Sequence, residues 1–289
     1  MLVIVLALIS ATGYGAADFF AGYATRRDKS AIRVTLLVYT VGTLVMLAAA
    51  VPSLIAGVSP PGSSMAWGAV SGVGCGAGAL FLTEGFRRSE FSVAAPLGAV
   101  IGAGGAALAG LALGEHLAGR AWAGILLALP AIFLVSASVG PRPQQGLSGA
   151  GLGIIAGLGC AVSYIGLAQA KTGGIWSLLA VQVACLAVTT AAAAVTGQVD
   201  WPRAGAGRWP SASSGVIGAM AAVAYLAAVR AGTLAVVAVI TALFPVVTIA
   251  LAAAVERERI GRVRLGGLVL AGASVWLIAV SGTSGLGRL

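Results

Sequence analysis

Long apolar stretches follow one another along this chain and are separated by short polar connections. A helix that crosses the hydrocarbon core of a bilayer needs about 20 mostly apolar residues. Ten stretches reach that length, and they cover residues 2–23, 33–55, 65–84, 91–113, 119–139, 149–170, 175–196, 211–229, 233–255 and 263–281. The pattern therefore predicts an all-α integral membrane protein with ten transmembrane helices.

The second half of the chain repeats the first half at a constant offset of 143 positions. The segment that begins at Glu115 aligns without a gap on the segment that begins at Glu258, and Arg87 aligns on Arg230 in the same register. A unit with five spans must lie upside down relative to its copy, because an odd number of crossings exchanges the two sides of the membrane. Inverted repeats of this kind surround the central site of many secondary transporters.

The boundary between the two halves is marked by turn-forming residues. The sequence Pro-Arg-Pro-Gln-Gln-Gly at residues 141–146 interrupts the apolar pattern between the fifth and sixth spans. We therefore divide the chain into a first repeat at residues 1–140, a linker at 141–148 and a second repeat at 149–289.

Composition and charge agree with a membrane environment. The chain is 59% hydrophobic and 9% charged, whereas soluble domains carry about 25% charged residues. The net charge of +9 comes from basic residues in short connections, where positive charge sets topology. These values indicate a multi-pass protein of the cell membrane and argue against a nucleic-acid partner. An excess of arginine over lysine points to a bacterial source.

Asp18 is the most conspicuous residue, because it lies inside the first predicted span. An ionised carboxylate is costly in hydrocarbon, so its side chain should face protein or water. One interpretation is an acid that couples transport to protons or binds the substrate. The alternative is an ion pair with Arg26, Arg27 or Lys29, which lie about two helical turns further along.

Uncharged polar side chains inside spans are candidates for lining a solute cavity. Aromatic faces with a few hydrogen-bonding groups suit an organic solute. The spans offer Tyr14, Tyr39, Trp67, Tyr164, Gln169, Gln182 and Tyr225. We select Tyr14, Tyr164, Gln182 and Tyr225 as cavity candidates, and an ordinary helix–helix contact is the alternative for each.

Three acidic residues at span ends are candidates for a structural or gating role. Glu84 lies three residues before Arg87, which favours a local ion pair on one helix face. Glu115 and Glu258 occupy equivalent places after the fourth and ninth spans. Each should fix a helix end and a tight turn, and a gating salt bridge is the alternative.

Pro96 and Pro245 lie inside the fourth and ninth spans. Proline removes a backbone hydrogen bond and can kink a helix. A kink at each proline could serve as a gate hinge or as a fixed feature of packing, and the sequence leaves both open.

The sequence offers no metal or cofactor site. Cys75, Cys160 and Cys185 lie in apolar stretches without a Cys-x-x-Cys pair, and we interpret them as small buried residues. His116 is the single histidine, and it has no acidic or thiol cluster around it in the sequence.

Two short patterns occur once in each half. Ala95-Pro-Leu97 followed by Leu113-Gly-Glu-His-Leu117 resembles the end of an EamA domain, and so does Leu243-Phe-Pro-Val-Val-Thr248 followed by Glu258-Arg-Ile260. The chain therefore resembles the EamA branch of the drug/metabolite transporter superfamily over nearly its whole length. The resemblance implies ten helices in two inverted five-helix repeats around a central cavity, and secondary transport, often export, of amino acids, metabolites or drugs.

The chain departs from the family pattern in two places. The family has a proline 13 residues before the glutamate. Pro245 keeps that spacing, whereas Gly102 occupies the position in the first half. The family often has Trp-Gly in the first span, where this chain has Tyr14-Gly15. Orientation stays open, because the distribution of Lys and Arg places both termini outside and the family habit places them inside.

We therefore expect a secondary transporter that exports a small organic solute by alternating access. The sequence contains no nucleotide-binding motif, so protons or an exchanged solute would supply the energy, without a cofactor. The partners would be this solute and membrane lipid. A membrane sensor or assembly protein without transport is one alternative. An intramembrane lipid-modifying enzyme is another, but it would need a cluster of His, Asp or Glu.

Overall fold

A computed structural model of the protein describes residues 1–59, 61–87, 91–115, 119–136, 149–170, 172–202, 207–256 and 261–283. These residues form α-helices connected by short turns, without a β-strand among them. The helices are α1 (Leu2–Asp28), α2 (Ala31–Ile55), α3 (Gly62–Arg87), α4 (Phe91–Ala112), α5 (Gly119–Ser136), α6 (Gly149–Gln169), α7 (Ile175–Thr196), α8 (Arg208–Ala231), α9 (Leu234–Thr241), α10 (Phe244–Glu256) and α11 (Arg262–Thr283). The predicted all-α class is confirmed.

Seven segments of the described chain are long and apolar enough to cross a membrane. They are Leu2–Asp28, Ala31–Ile55, Gly62–Gly85, Gly151–Gln169, Ile175–Thr196, Arg208–Ala231 and Leu234–Val255. Three shorter apolar segments, Gly98–Ala112, Gly119–Ile132 and Leu265–Ile278, fall in the remaining predicted spans. The protein is thus a multi-pass membrane protein by composition, and the count of ten spans stays a prediction.

The ninth predicted span consists of two helices rather than one. α9 ends at Thr241, α10 begins at Phe244, and the buried residues Ala242 and Leu243 form a turn between them. Pro245 is the second residue of α10. The N–H groups at the start of a helix have no partner inside the helix, so the lack of an N–H in proline costs no hydrogen bond there. We expected a kink at Pro245, and the structure has a break just before it. Pro96, by contrast, lies within the continuous helix α4.

Helices of one half pack mainly on helices of the other half. α1 packs along α8, α3 along α6, α2 along α7, and α5 along α11. α4 packs on α6 and α9, and α1 packs on α9 and α10. The repeat in the sequence makes α1 equivalent to α6, α2 to α7, α3 to α8 and α5 to α11. The pair α1 with α8 is therefore equivalent to the pair α6 with α3. The pairs α2 with α7 and α5 with α11 are each equivalent to themselves. The packing pattern therefore follows the repeat in the sequence.

One contact shows this correspondence at the level of single residues. A methyl group placed on Gly72 would overlap the carbonyl oxygen of Val181. A methyl group on Gly215 would overlap the carbonyl oxygen of Val38. Gly215 lies 143 positions beyond Gly72, and Val181 lies 143 positions beyond Val38. The same backbone approach therefore occurs twice, once for each copy.

Serine hydroxyls and glycines hold these helix pairs together. Between α1 and α8, Ser10 Oγ donates to the Ala221 carbonyl at 3.1 Å and Ser214 Oγ donates to the Ala17 carbonyl at 2.8 Å. Between α3 and α6, Ser71 Oγ donates to a carbonyl at 2.8 Å. Small residues let helices approach closely, and hydroxyls bonded across the interface need no water.

Candidate functional site

A cavity of about 140 Å³ lies among α1, α2 and α3 of the first half and α6, α7, α8 and α10 of the second. Both halves therefore contribute to its wall. An apolar protein cavity of about 150 Å³ can hold benzene. The space thus fits a small organic molecule.

The wall combines aromatic, hydroxyl, thiol and amide groups with a single carboxylate. The polar and aromatic residues that line it are Tyr14, Asp18, Thr35, Tyr39, Cys75, Thr83, Cys160, Ser163, Tyr164, Gln182, Ser214 and Phe244. Among the described lining residues, Asp18 is the one carboxylic acid, and none is Lys, Arg or His. The cavity is therefore apolar with one acidic position.

Asp18 lies on the face of α1 that lines the cavity, because the opposite face of α1 packs against α8. A methyl group on Gly13 would lie 2.7 Å from the Cβ atom of Ala221, so the two backbones are in close contact there. Tyr14, Asp18 and Ala21 are spaced by four and three residues and lie on one helix face. All three line the cavity.

The alternative pairing of Asp18 with the bases that follow it is not what the structure shows. The Arg27 guanidinium lies 4.0 Å from the centre of the Tyr23 ring. Arg33 Nε donates to Asp28 at 2.9 Å. Within the described ranges, no hydrogen bond or ion pair reaches the Asp18 carboxylate. Asp18 therefore faces the cavity, and its coupling role stays a prediction.

The three tyrosine candidates form two layers. Tyr14 and Tyr164 line the cavity, whereas Tyr225 is fully buried behind Tyr164. The rings of Tyr164 and Tyr225 are stacked, with their centres 5.0 Å apart. The Tyr225 hydroxyl donates to the Tyr164 carbonyl at 3.3 Å. Tyr225 can therefore orient Tyr164, but it is not part of the wall.

Gln182 reaches the cavity from α7. Its amide fits against Gly42 of α2, where a methyl group would lie 2.7 Å from Nε2. The Gln182 Oε1 atom is buried, and it has no hydrogen-bond partner in the part of the chain that the structure describes. An unsatisfied buried polar atom costs about 1–3 kcal/mol. Gln182 therefore presents an unused acceptor beside the cavity.

Sequence reasoning missed two cysteines of the wall. We interpreted all three thiols as buried, and this holds only for Cys185, whose Sγ lies 3.2 Å from the Gly72 carbonyl oxygen. Cys75 and Cys160 are partly exposed and line the cavity. The Tyr39 hydroxyl lies 3.5 Å from Cys75 Sγ.

The repeat offset is a signal that would have found part of the missing wall. Tyr39 lies 143 positions before Gln182, and both line the cavity. Cys75 and Gly218 are related in the same way, and so are four other pairs of lining residues. These further pairs are Ala17 with Cys160, Ala21 with Tyr164, Val38 with Val181, and Ala79 with Ala222.

Glu115 lies away from the cavity and holds the start of α9. Its Oε1 accepts the Leu234 N–H at 2.6 Å, and its Oε2 accepts the Ala235 N–H at 3.0 Å. Gly114, at φ 86°, allows the tight turn after α4. A side chain at Gly110 would collide with the carboxylate. Glu115 therefore fixes a helix end, and that end belongs to the other half.

The remaining candidates are placed as follows. Glu84 accepts from Arg87 Nε at 2.6 Å, and this hydrogen bond raises the pKa of the Arg87 guanidinium above its usual value. Pro245 is buried next to Phe244, which lines the cavity. Glu258, His116 and the predicted linker at 141–148 lie outside the described residues.

Comparison with known proteins gives a family for the first half of the chain and a fold for nearly all of it. The sequence model of the EamA-like transporter family matches residues 1–137. A solved crystal structure of a protein that is 17% identical superposes with a TM-score of 0.67, and the match covers 94% of this chain and 96% of the other. At that identity the likeness concerns the fold alone. No curated protein matches the chain.

Proposed function

We propose, from the premise that residues 1–137 belong to the EamA-like transporter family, that this membrane protein is a secondary transporter of a small organic solute. It works by alternating access in the cell membrane of a bacterium and exports its solute. The observation that carries the proposal is the cavity that both halves enclose around Asp18.

Two inverted five-helix repeats are the architecture that best explains the cavity. Repeat-related residues meet at its wall, as Tyr39 and Gln182 do, and the packing of α1 on α8 matches that of α3 on α6. A site at the junction of two inverted copies can be closed by equivalent movements on either side. The correspondence of contacts supports this arrangement over a simple bundle.

Asp18 is the residue to which we assign proton coupling. Its carboxylate lies among apolar and uncharged groups, where an ion is costly, and binding of a proton removes the charge. A carboxylate that is exposed first to one side and then to the other would carry its proton across. The driving force is then the proton gradient, and the solute moves in exchange.

The gates are assigned to α9 and α10 and to their repeat-related counterpart α4. The break before Pro245 gives the ninth span a point of bending beside the cavity. Glu115 holds the N-terminal end of that span, and Glu258 would do the same for α4 in an equivalent arrangement. To Glu84, near the end of α3, and to Pro96, inside α4, we assign a structural role in the same movement.

Proteoliposomes that contain the full chain test the proposal. They are loaded with a mixture of amino acids, organic amines and aromatic acids, and the loss of each compound is followed by mass spectrometry with and without an imposed pH gradient. We expect at least one compound to leave faster under the gradient. Asp18→Asn should abolish the stimulation, and Asp28→Asn should keep it, because Asp28 pairs with Arg33 outside the cavity. Binding without flux, or flux that is indifferent to both the gradient and Asp18→Asn, would contradict the proposal.

A further inference from the structure

The charge of the cavity wall selects the charge of its ligand. The described wall residues include one carboxylate, Asp18, and no basic side chain. No hydrogen bond or ion pair satisfies that carboxylate within the described part of the chain. A cationic ligand would neutralise it in an environment where an isolated charge is costly, whereas an anionic ligand would place a second negative charge beside it.

The other polar groups of the wall also favour a ligand that donates hydrogen bonds. Gln182 lines the cavity, and its Oε1 is a buried acceptor with no partner among the described residues, so a turn of this amide toward the cavity would offer it to a ligand N–H. The rings of Tyr14, Tyr39 and Tyr164 line the same space. Aromatic faces attract ammonium groups within about 6 Å of the ring centre. The carboxylate of Asp18, the unpaired acceptor of Gln182 and the tyrosine rings are together the groups that bind an ammonium group.

The size of the cavity limits the rest of the ligand. The volume is about 140 Å³, close to the space of about 150 Å³ that holds benzene in another protein. One ring or a short alkyl chain therefore fills it. Apolar residues such as Ala17, Val38 and Leu167 complete the wall, so this part of the ligand should be apolar.

The start of α10 is the one feature that could favour an anion, since helix N-termini attract negative charge. Its donors are largely absent. Pro245 has no N–H, and the Val246 N–H already donates to the Leu243 carbonyl at 2.9 Å. The side chain that α10 presents to the cavity is the ring of Phe244. This end therefore offers an aromatic face rather than an anion site.

We infer that the solute of this transporter is a small organic cation, a protonated amine with one compact apolar or aromatic group, whose ammonium binds Asp18 and Gln182. This inference rests on the proposed function and narrows it to a substrate class. The proton and the ammonium then compete for one carboxylate, so that release of one accompanies binding of the other.

Three probes of equal shape and different charge test the inference. Benzylamine is a cation at neutral pH, benzyl alcohol is neutral, and benzoate is an anion. Their affinities for the purified full chain are measured by calorimetry in lipid nanodiscs. Because hydrogen bonds to charged groups contribute more than neutral ones, we expect benzylamine to bind about tenfold or more tighter than benzyl alcohol. Benzoate should not bind.

Two variants and one control locate the ammonium site. Asp18→Asn should remove the advantage of benzylamine over benzyl alcohol. Gln182→Leu should weaken benzylamine binding to a smaller extent. Asp28→Asn, a carboxylate outside the cavity, should bind all three probes as the natural chain does. Thermal denaturation of each variant in the same nanodiscs shows whether it is folded.

The outcomes separate the inference from the function on which it rests. Preference for benzoate, equal affinity for benzylamine and benzyl alcohol, or binding by none of the three overturns the cation inference. If the proteoliposomes then export neutral or anionic compounds under the gradient, the transporter proposal stands without it. If they export no compound at all, the proposed function falls as well.

Discussion

The carboxylate of Glu115 accepts the backbone N–H of Leu234 at 2.6 Å across a sequence separation of 119 residues. One residue of the first half thus holds the first turn of α9 in the second half. Backbone N–H groups at a helix start have no partner inside the helix. A carboxylate there also interacts favourably with the positive end of the helix dipole. The contact therefore joins a helix end to the other half of the chain.

Removal of this carboxylate should loosen α9. We expect Glu115→Ala to lower the free energy of unfolding by about 1–3 kcal/mol, because two N–H groups lose their acceptor. Glu115→Gln should cost less, because it retains one acceptor. Thermal denaturation in detergent measures both. Glu84→Gln is the control, since the more exposed pair with Arg87 should contribute about 1 kcal/mol or less. Equal stability of Glu115→Ala and the natural chain would contradict this role.

The contact of α3 with α6 should tolerate no added side chain. A methyl group on Gly159 would lie 2.5 Å from the Gly74 carbonyl oxygen. Overpacking of this kind costs about 1–3 kcal/mol, so Gly159→Ala should melt at a lower temperature. Gly104→Ala is the matched control, because nothing lies within 4 Å of the new methyl group. In a helix interior it should be neutral or stabilising. A Gly159→Ala variant that melts no lower than Gly104→Ala would show that the helices separate freely.

Benzylamine binding should weaken from mildly alkaline to mildly acidic solution. The ammonium needs the Asp18 carboxylate, and protonation of the carboxylate at lower pH removes its charge. The titratable groups that face Asp18 are Tyr14, Tyr39, Cys75, Cys160 and Tyr164. Asp18→Asn should lose the trend, which would assign the change to this carboxyl group and not to a phenol or thiol of the wall. Calorimetry at several pH values measures it, and benzyl alcohol should show no such trend. Benzylamine affinity that rises as the pH falls would contradict the competition.

The break before Pro245 should matter for movement more than for binding. Pro245→Ala restores a backbone N–H near the turn at Ala242 and Leu243, which favours one continuous helix. We expect slower export with unchanged benzylamine affinity, measured by flux and calorimetry on the same preparation. Pro130→Ala is the control, because Pro130 is an exposed proline inside α5. If both variants transport like the natural chain, the break is a fixed feature of packing.

The thiols should report access to the cavity. Cys75 and Cys160 line it and are partly exposed, whereas Cys185 is fully buried. A small water-soluble thiol reagent should therefore modify the first two and leave Cys185 unmodified, as mass spectrometry of peptides can show. Benzylamine should slow the reaction by occupying the space. Modification of Cys185 at the same rate would contradict the assigned wall.

The sequence predicted the helices better than it predicted their ends. Hydropathy ended the first span at residue 23, whereas α1 continues to Asp28. Arg26 and Arg27 continue the helix into its polar last turn, where basic side chains interact favourably with the helix dipole. The end of an apolar stretch indicates where the chain leaves the membrane. It does not indicate where the backbone hydrogen bonds of the helix end. The break after Thr241 was missed for the same reason, since both sides of it are apolar.

The site was predicted through its unusual residues. Asp18 and Gln182 are costly in an apolar segment, and that cost is by itself a reason to expect a cavity beside them. Cys75 and Cys160 gave no such signal, because a thiol among glycines and alanines is equally suited to a packed interior. Tyr225 and Tyr164 both lie in apolar segments, so the sequence does not distinguish them. The structure shows that Tyr164 lines the cavity and that Tyr225 is stacked behind it.

The packing of α1 on α8, α3 on α6 and α5 on α11 means that the two halves are not separate bodies. A half expressed by itself would turn its glycine-lined surfaces toward lipid, with serine hydroxyls left without the carbonyls that accept them. It would behave like one subunit taken from an obligate dimer. The single chain thus joins covalently two sets of surfaces that would otherwise meet only by association, and this link removes the dependence of their assembly on concentration.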